Sequence, residues 1–292
     1  YTNDDYSTFS VNDIKKTENI VITLLKKYIE RYYNFQKAYW EKDKLEYVFI
    51  NEDTKAMKNI VDEYIFEVDT NENGNIIINY LKSLEEEIRK NKQKIDFSKL
   101  NINKLINSDV KLIDMNNHLY NPLVYINKFS SVIKVKPINL NDGELFFIEN
   151  LKSYINENNE FFKDKELYLL RNQVGSLGFF DDGNFYPDFI MWLIYNNKQY
   201  ISFIDPKGML FENINSSKIN LHKTIKEYEK LLNDNNIILN SFIISITSSS
   251  LLEIRNIIKI EEYNNNNVFF ITENDKKTNF DNIKKLFDKI QN

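Results

Sequence analysis

The chain has 292 residues, of which 42% are hydrophobic and 28% charged, with a net charge of −5, no cysteine and two histidines, so it can bury a core and is not disordered. The lack of cysteine excludes a disulfide framework, a zinc finger and a thiol nucleophile, and the wide separation of His118 and His222 excludes a histidine-based metal cluster. The acidic balance excludes a surface that grips nucleic acid throughout, so any such contact has to be local or shared with another domain.

The length suits two domains of ~100–200 residues each. No run reaches the ~18 apolar residues of a membrane span, and no signal peptide is recognised, so a soluble cytoplasmic protein without membrane contact is expected. A GxxxxGK[ST] phosphate loop is absent, so the chain contains no recognisable NTPase motor, and a C-terminal piece of something longer is expected.

From about Asp13 to Glu41, Val21, Leu24, Leu25, Tyr28, Tyr32, Phe35 and Tyr39 recur at helical spacing and predict a long amphipathic helix with a buried aromatic stripe. Leu45 to Ile50 and Glu63 to Val68 read as strands, and Asn71-Glu72-Asn73-Gly74 reads as a hairpin turn into Asn75 to Ile78. A charged helix over Leu81 to Lys94 follows, its Glu85-Glu86-Glu87 run being a solvated face. Phe97 to Val110 reads as helical or irregular. Pro137 and the loop Asn139 to Gly143 mark an expected boundary between a mostly helical linker and interaction domain, residues 1–135, and a second domain, residues 136–292.

In the second domain Glu144 opens a helix that Asn141 or Asp142 can cap, with Leu145, Ile148, Leu151, Tyr154 and Ile155 as its apolar stripe. A strand over Glu166 to Arg171, two further apolar strands, a helix from Ser216 or Ser217 to about Leu232 and a strand over Leu239 to Ser245 complete an αβββαβ order. Leu251 to Lys259, Asn267 to Thr272 and Phe280 to Ile290 add a helix, a strand and a terminal helix. On the helix ending near Leu232, Lys218, His222, Lys226 and Lys230 recur every four residues with Lys223 beside them. This basic stripe, together with Arg171, is the candidate DNA-binding set, and its other reading is a solubilising face.

Chemistry concentrates in Phe185-Tyr186-Pro187-Asp188-Phe189-Ile190 and Tyr200-Ile201-Ser202-Phe203-Ile204-Asp205-Pro206-Lys207-Gly208. Strand alternation puts Asp205 and Lys207 on one face. An antiparallel hairpin of Phe185 to Tyr195 with Gln199 to Pro206 through Asn196-Asn197-Lys198 carries Asp188 back towards Asp205. Two carboxylates and an ammonium at the end of an apolar sheet need partners or a metal. A hard divalent cation, Mg2+ or Mn2+, suits two aspartates, and such a site serves phosphodiester hydrolysis. The other reading is a salt-bridged strand end.

The pattern Pro187-Asp188 with Asp205-Pro206-Lys207 resembles the PD-(D/E)xK nuclease superfamily, and FYPDFIMW followed by YISFIDPKG resembles the nuclease segment of the helicase-nuclease subunit of type III restriction-modification enzymes and related defence helicases. The segment Asp114 to Leu123, with His118-Leu119-Tyr120-Asn121-Pro122-Leu123, resembles the stretch that joins modules in such subunits. The resemblance covers mainly residues 114 to 246. It implies a restriction-endonuclease-like α/β (α+β) core and a Mg2+-dependent DNA endonuclease with Asp188 and Asp205 on the metal and Lys207 orienting the attacking water. It further implies Glu144 as a third carboxylate, with Glu149 as the alternative, and the Pro206 carbonyl as a further ligand. The implied partners are DNA, a superfamily-two helicase region in the same polypeptide or complex, and a methyltransferase or other defence subunit. One branch of the superfamily carries a QxxxY pattern in the following helix, whereas here Tyr228 is preceded at that spacing by Thr224, which points away from DNA-end processing. A non-catalytic module that docks a helicase onto DNA or a partner is the alternative function.

Overall fold

A computed structural model describes residues 15, 17–26, 28–29, 64–90, 110–113, 115, 123–126, 133–136, 139–173, 178, 185–256, 258–272 and 276–291. The chain divides into two compact units, one of Tyr1–Phe49 with Gly178–Phe185 and the other of Ile50–Leu177 with Tyr186–Asn292. In the first, residues 17–26 are helical as the periodicity predicts. Its stripe is not buried, however, since Val21, Leu24, Leu25 and Tyr28 are all exposed. Tyr32, Phe35, Tyr39 and the expected strand from Leu45 lie outside the described residues.

The larger unit begins with strand β1 (Ile65–Val68) and helix α1 (Glu72–Lys90). The expected Asn73-Gly74 hairpin is thus replaced by the start of a helix. Asn71 explains it: its Oδ1 accepts from the Gly74 amide at 2.8 Å and its carbonyl accepts from the Asn75 amide at 2.9 Å, so it caps the first turn. Gly74 then packs so closely on the Asp69 carbonyl that a Cβ would lie 1.7 Å from its oxygen. Strands β2 (Val110–Ile113) and β3 (Leu123–Ile126) pair antiparallel, and β4 (Ile133–Lys136) pairs antiparallel with β1. Ile77, Leu112, Val124, Ile126 and Ile133 form a small core between these elements.

Helix α2 (Asp142–Glu157) and the short α3 (Asn159–Phe162) lead into β5 (Glu166–Arg171), β6 (Phe189–Tyr195) and β7 (Lys198–Lys207). Helix α4 (Ser217–Leu232) crosses to β8 (Ile237–Ser245), followed by α5 (Ser249–Asn256), α6 (Ile260–Asn265), β9 (Val268–Phe270) and α7 (Lys276–Gln291). The five strands lie in the order β5-β6-β7-β8-β9, antiparallel from β5 to β7 and parallel from β7 to β9. The mixed helix and sheet architecture is the expected one, and the order helix, three strands, helix, strand is observed. Helices α3 and α6 and strands β2, β3 and β4 were not foreseen.

Alternation along β8 assigns the layers. Phe242 and Ile244 pack with Phe147, Ile148 and Leu151 of α2 and Leu286 and Phe287 of α7, whereas Ile243 packs with Ile219 of α4, Leu252 of α5 and Tyr263 of α6. The sheet is therefore covered on both faces, which is why its central strands are apolar nearly throughout. The boundary expected at residue 136 is not a break in packing, because Ile113, Leu123 and Tyr125 share one core with Leu145 and Phe147. The segment Asn116 to Pro122, with His118, lies outside the described residues.

Candidate active site

The site is built on the β6–β7 hairpin. Its turn is the two residues Asn196 and Asn197, with φ of 51° and 60°, so Lys198, expected in the turn, already belongs to β7. Both central residues in the left-handed region define a type I′ turn, whose twist matches that of paired strands. The register runs from Tyr195 opposite Lys198 to Phe189 opposite Ile204. Asp188 precedes Phe189 and Asp205 follows Ile204, so the next step of the same register sets the two carboxylates against each other.

Asp205 is buried, whereas the Asp188 side chain keeps 28% of its surface exposed. Burial, the adjacent Asp188 charge and a hydrogen bond with Asp188 push the Asp205 carboxyl up to about 7, against the pull of Lys218 and Lys207. Pro206 is buried between Asp205 and Lys207 in β7. The Lys207 ammonium is ion-paired with Glu212, a residue that no motif or spacing singles out. Burial pushes the Glu212 carboxyl up, but the hydrogen bond from Lys207 and the charges of Lys207 and Lys218 outweigh it and hold Glu212 below its ordinary value.

Glu144 enters from the first turn of α2, where it is also a cap. The Asn141 side chain accepts from the Glu144 amide at 2.9 Å, and Glu144 Oε2 accepts from the Asn141 amide at 3.0 Å. This reciprocal capping box resolves the choice between Asn141 and Asp142. The carboxylate is gripped by Arg171, whose Nη2 donates to Oε1 at 2.7 Å and whose Nε donates to Oε2 at 3.2 Å. Burial pushes Glu144 up, and the Asp188 charge adds to this, while Arg171 and the Asn141 amide pull it down.

Arg171 and Asn172 at the end of β5 hold the backbone that presents Asp188. Arg171 donates to the carbonyls of Asn172 and Asp188, the latter at 3.1 Å, and its Nη2 lies 3.7 Å from Asp188 Oδ1. The Asn172 amide donates to the Asp188 carbonyl at 2.8 Å, and its side chain donates to the Pro187 carbonyl at 2.9 Å. Arg171 is thus a buried ion-pair partner and not the surface DNA contact expected of it. Glu149 is excluded from the site because it pairs with Lys111 at the surface, 3.0 Å away.

The basic stripe on α4 is only partly basic. Lys218, Lys223 and Lys230 are exposed, and Lys218 stands close enough to act on both Asp205 and Glu212. Lys226 instead pairs with Glu229 at 2.8 Å, and that carboxylate also accepts from the Leu239 amide. His222 is half-buried, and burial pulls its imidazole down despite the hydrogen bond to the Ile219 carbonyl.

Among the described residues no three Asp, Glu or His side chains converge to hold a metal ion. What converges is a pair, Asp188 and Asp205. The fit to a hard divalent cation is nonetheless good, because a buried carboxyl whose proton affinity is raised by burial and by the neighbouring Asp188 charge is one that such an ion relieves. Among the described residues no helix is long and apolar enough to cross a membrane. No family model, curated protein or solved structure matches the chain.

Proposed function

We propose that the chain is a metal-dependent DNA endonuclease with a PD-(D/E)xK-like core. The observation that carries this reading is the hairpin register that brings Asp188 to Asp205, with Lys207 on the same face of β7. The order of helices and strands supports it, as does the resemblance of both motif segments to the nuclease part of helicase-nuclease defence enzymes. That wider setting, with a helicase region and further defence subunits as partners, belongs to the proposal.

When bound, Mg2+ or Mn2+ would lower the pKa of a water and neutralise charge on the phosphate. Asp188 and Asp205 would hold it, with the Pro206 carbonyl as the further oxygen ligand. Lys207 orients the attacking water and offsets charge that develops on the phosphorane oxygens. Glu212 keeps the Lys207 ammonium in place. Pro187 and Pro206 bias Tyr186 and Asp205 towards extended backbone, which suits a site that has to hold charge in a fixed geometry.

Incubation of supercoiled plasmid with the chain and Mg2+, Mn2+ or EDTA, beside Asp205→Asn, tests the proposal. Metal-dependent nicking that disappears in the folded variant is the expected result. Cleavage that survives in EDTA or in Asp205→Asn would sink it. If the folded chain is inactive both alone and with a cognate helicase and ATP, the docking-module alternative takes its place.

A further inference from the structure

Glu144 departs most from what the motif implies. Both of its oxygens accept from Arg171, and Oε2 accepts from the Asn141 amide as well. The two charged side chains are almost wholly buried, at 2% and 8% exposure. The same guanidinium nitrogen that meets Glu144 lies 3.7 Å from Asp188 Oδ1, so a fixed cation already stands between the two carboxylates. For Glu144 to ligate an ion it would have to leave Arg171, and a buried guanidinium deprived of its carboxylate is costly. A divalent ion placed on that side of Asp188 would also face the guanidinium charge at close range in a poorly screened environment.

We propose that the site takes a single divalent cation, held by Asp188 and Asp205, and that Arg171, locked by Glu144, fills the place of a second one. The inference rests on the reading of Asp188 and Asp205 as cation ligands. Glu144 is then no ligand, and Arg171 is a positioning residue that sets the Asp188 backbone and supplies a permanent positive charge beside it.

The test is Mn2+ titration of the full chain, counting free ion by electron paramagnetic resonance, with Ca2+ calorimetry as a second readout. Neither depends on activity. One ion per chain is expected. Asp205→Asn should weaken it more than about 100-fold, while Glu144→Gln should stay within the ~10–100-fold of a group behind the ligands. Because a single change at a buried pair can impair folding, the neutral double variant Glu144→Gln with Arg171→Met is measured beside it and should still take one ion. Two ions in the wild-type chain, or loss of the ion in Glu144→Gln to the extent seen in Asp205→Asn, would overturn the single-cation inference and leave the aspartate pair standing. No ion in the folded wild-type chain would overturn both.

Discussion

Asp205 is an acid held where its charge is poorly solvated and another carboxylate is near, and its pH behaviour follows. Its folded pKa of about 7 exceeds the ordinary 3.8, so the folded chain binds this proton more tightly than the unfolded one. The stabilisation is fully present below the ordinary value and is lost as the pH rises through about 7. In EDTA the melting temperature should therefore fall across this interval, and less steeply in Asp205→Asn. Thermal melts decide it, and equal slopes would contradict the burial of this pair. For Arg171 the mechanism differs, since Arg171→Ala leaves Glu144 buried and unpaired. A loss of ~3–5 kcal/mol is expected in urea unfolding. Asp188, Asp205 and Lys207 were legible because strand alternation and hairpin pairing are local rules. The Glu144–Arg171 pair was not, since nothing in the spacing says that a helix cap and the end of a later strand will meet.

At the scale of elements, the hairpin turn and the α2 cap set the site. Asn197 has φ of 60°, where a β-branched side chain is strained by roughly 1–2 kcal/mol. Asn197→Val should lower stability by about that amount and reduce cleavage further by loosening the Asp188–Asp205 register. Asn197→Gly, with the preferred type I′ residue, should do neither; parallel urea curves and nicking assays separate the two effects. Every strand of the main sheet was readable from its apolar run, but the turn was placed one residue too long, because the sequence shows which residues tolerate a turn and not which two form it. The failure at Asn73-Gly74 has the same root. An Asn-Gly pair serves a hairpin or a helix start equally, and Asn71 with the Asp69 carbonyl decides between them. Strand β1 pairs with β4, Ile65 opposite Lys136, across a separation that local periodicity cannot announce.

For the whole molecule, a net charge of −5 and a stripe partly neutralised by Glu229 leave Lys218, Lys223 and Lys230 as the exposed cations of α4. If they lie along the phosphates, replacing all three with Gln should weaken DNA binding uniformly across sequences. Each lost contact should reduce the slope of log affinity against log salt by ~0.9. Fluorescence anisotropy over a salt series in Ca2+ measures this, and an unchanged slope would assign the stripe to solubility. The apolar central strands suit a sheet covered on both faces, whereas a proline and a polar loop mark a turn whether or not a shared core continues beneath it.

Antiparallel closure of β6 on β7 through two residues has a kinetic side. A hairpin forms in about 1–10 μs, well before the crossover through α4 can deliver β8. The two acids therefore meet early in folding, at a stage when their meeting is repulsive if both are ionised. Protonation of Asp205 should then quicken refolding more than it slows unfolding, so the folding limb of a chevron plot would carry most of the acid sensitivity.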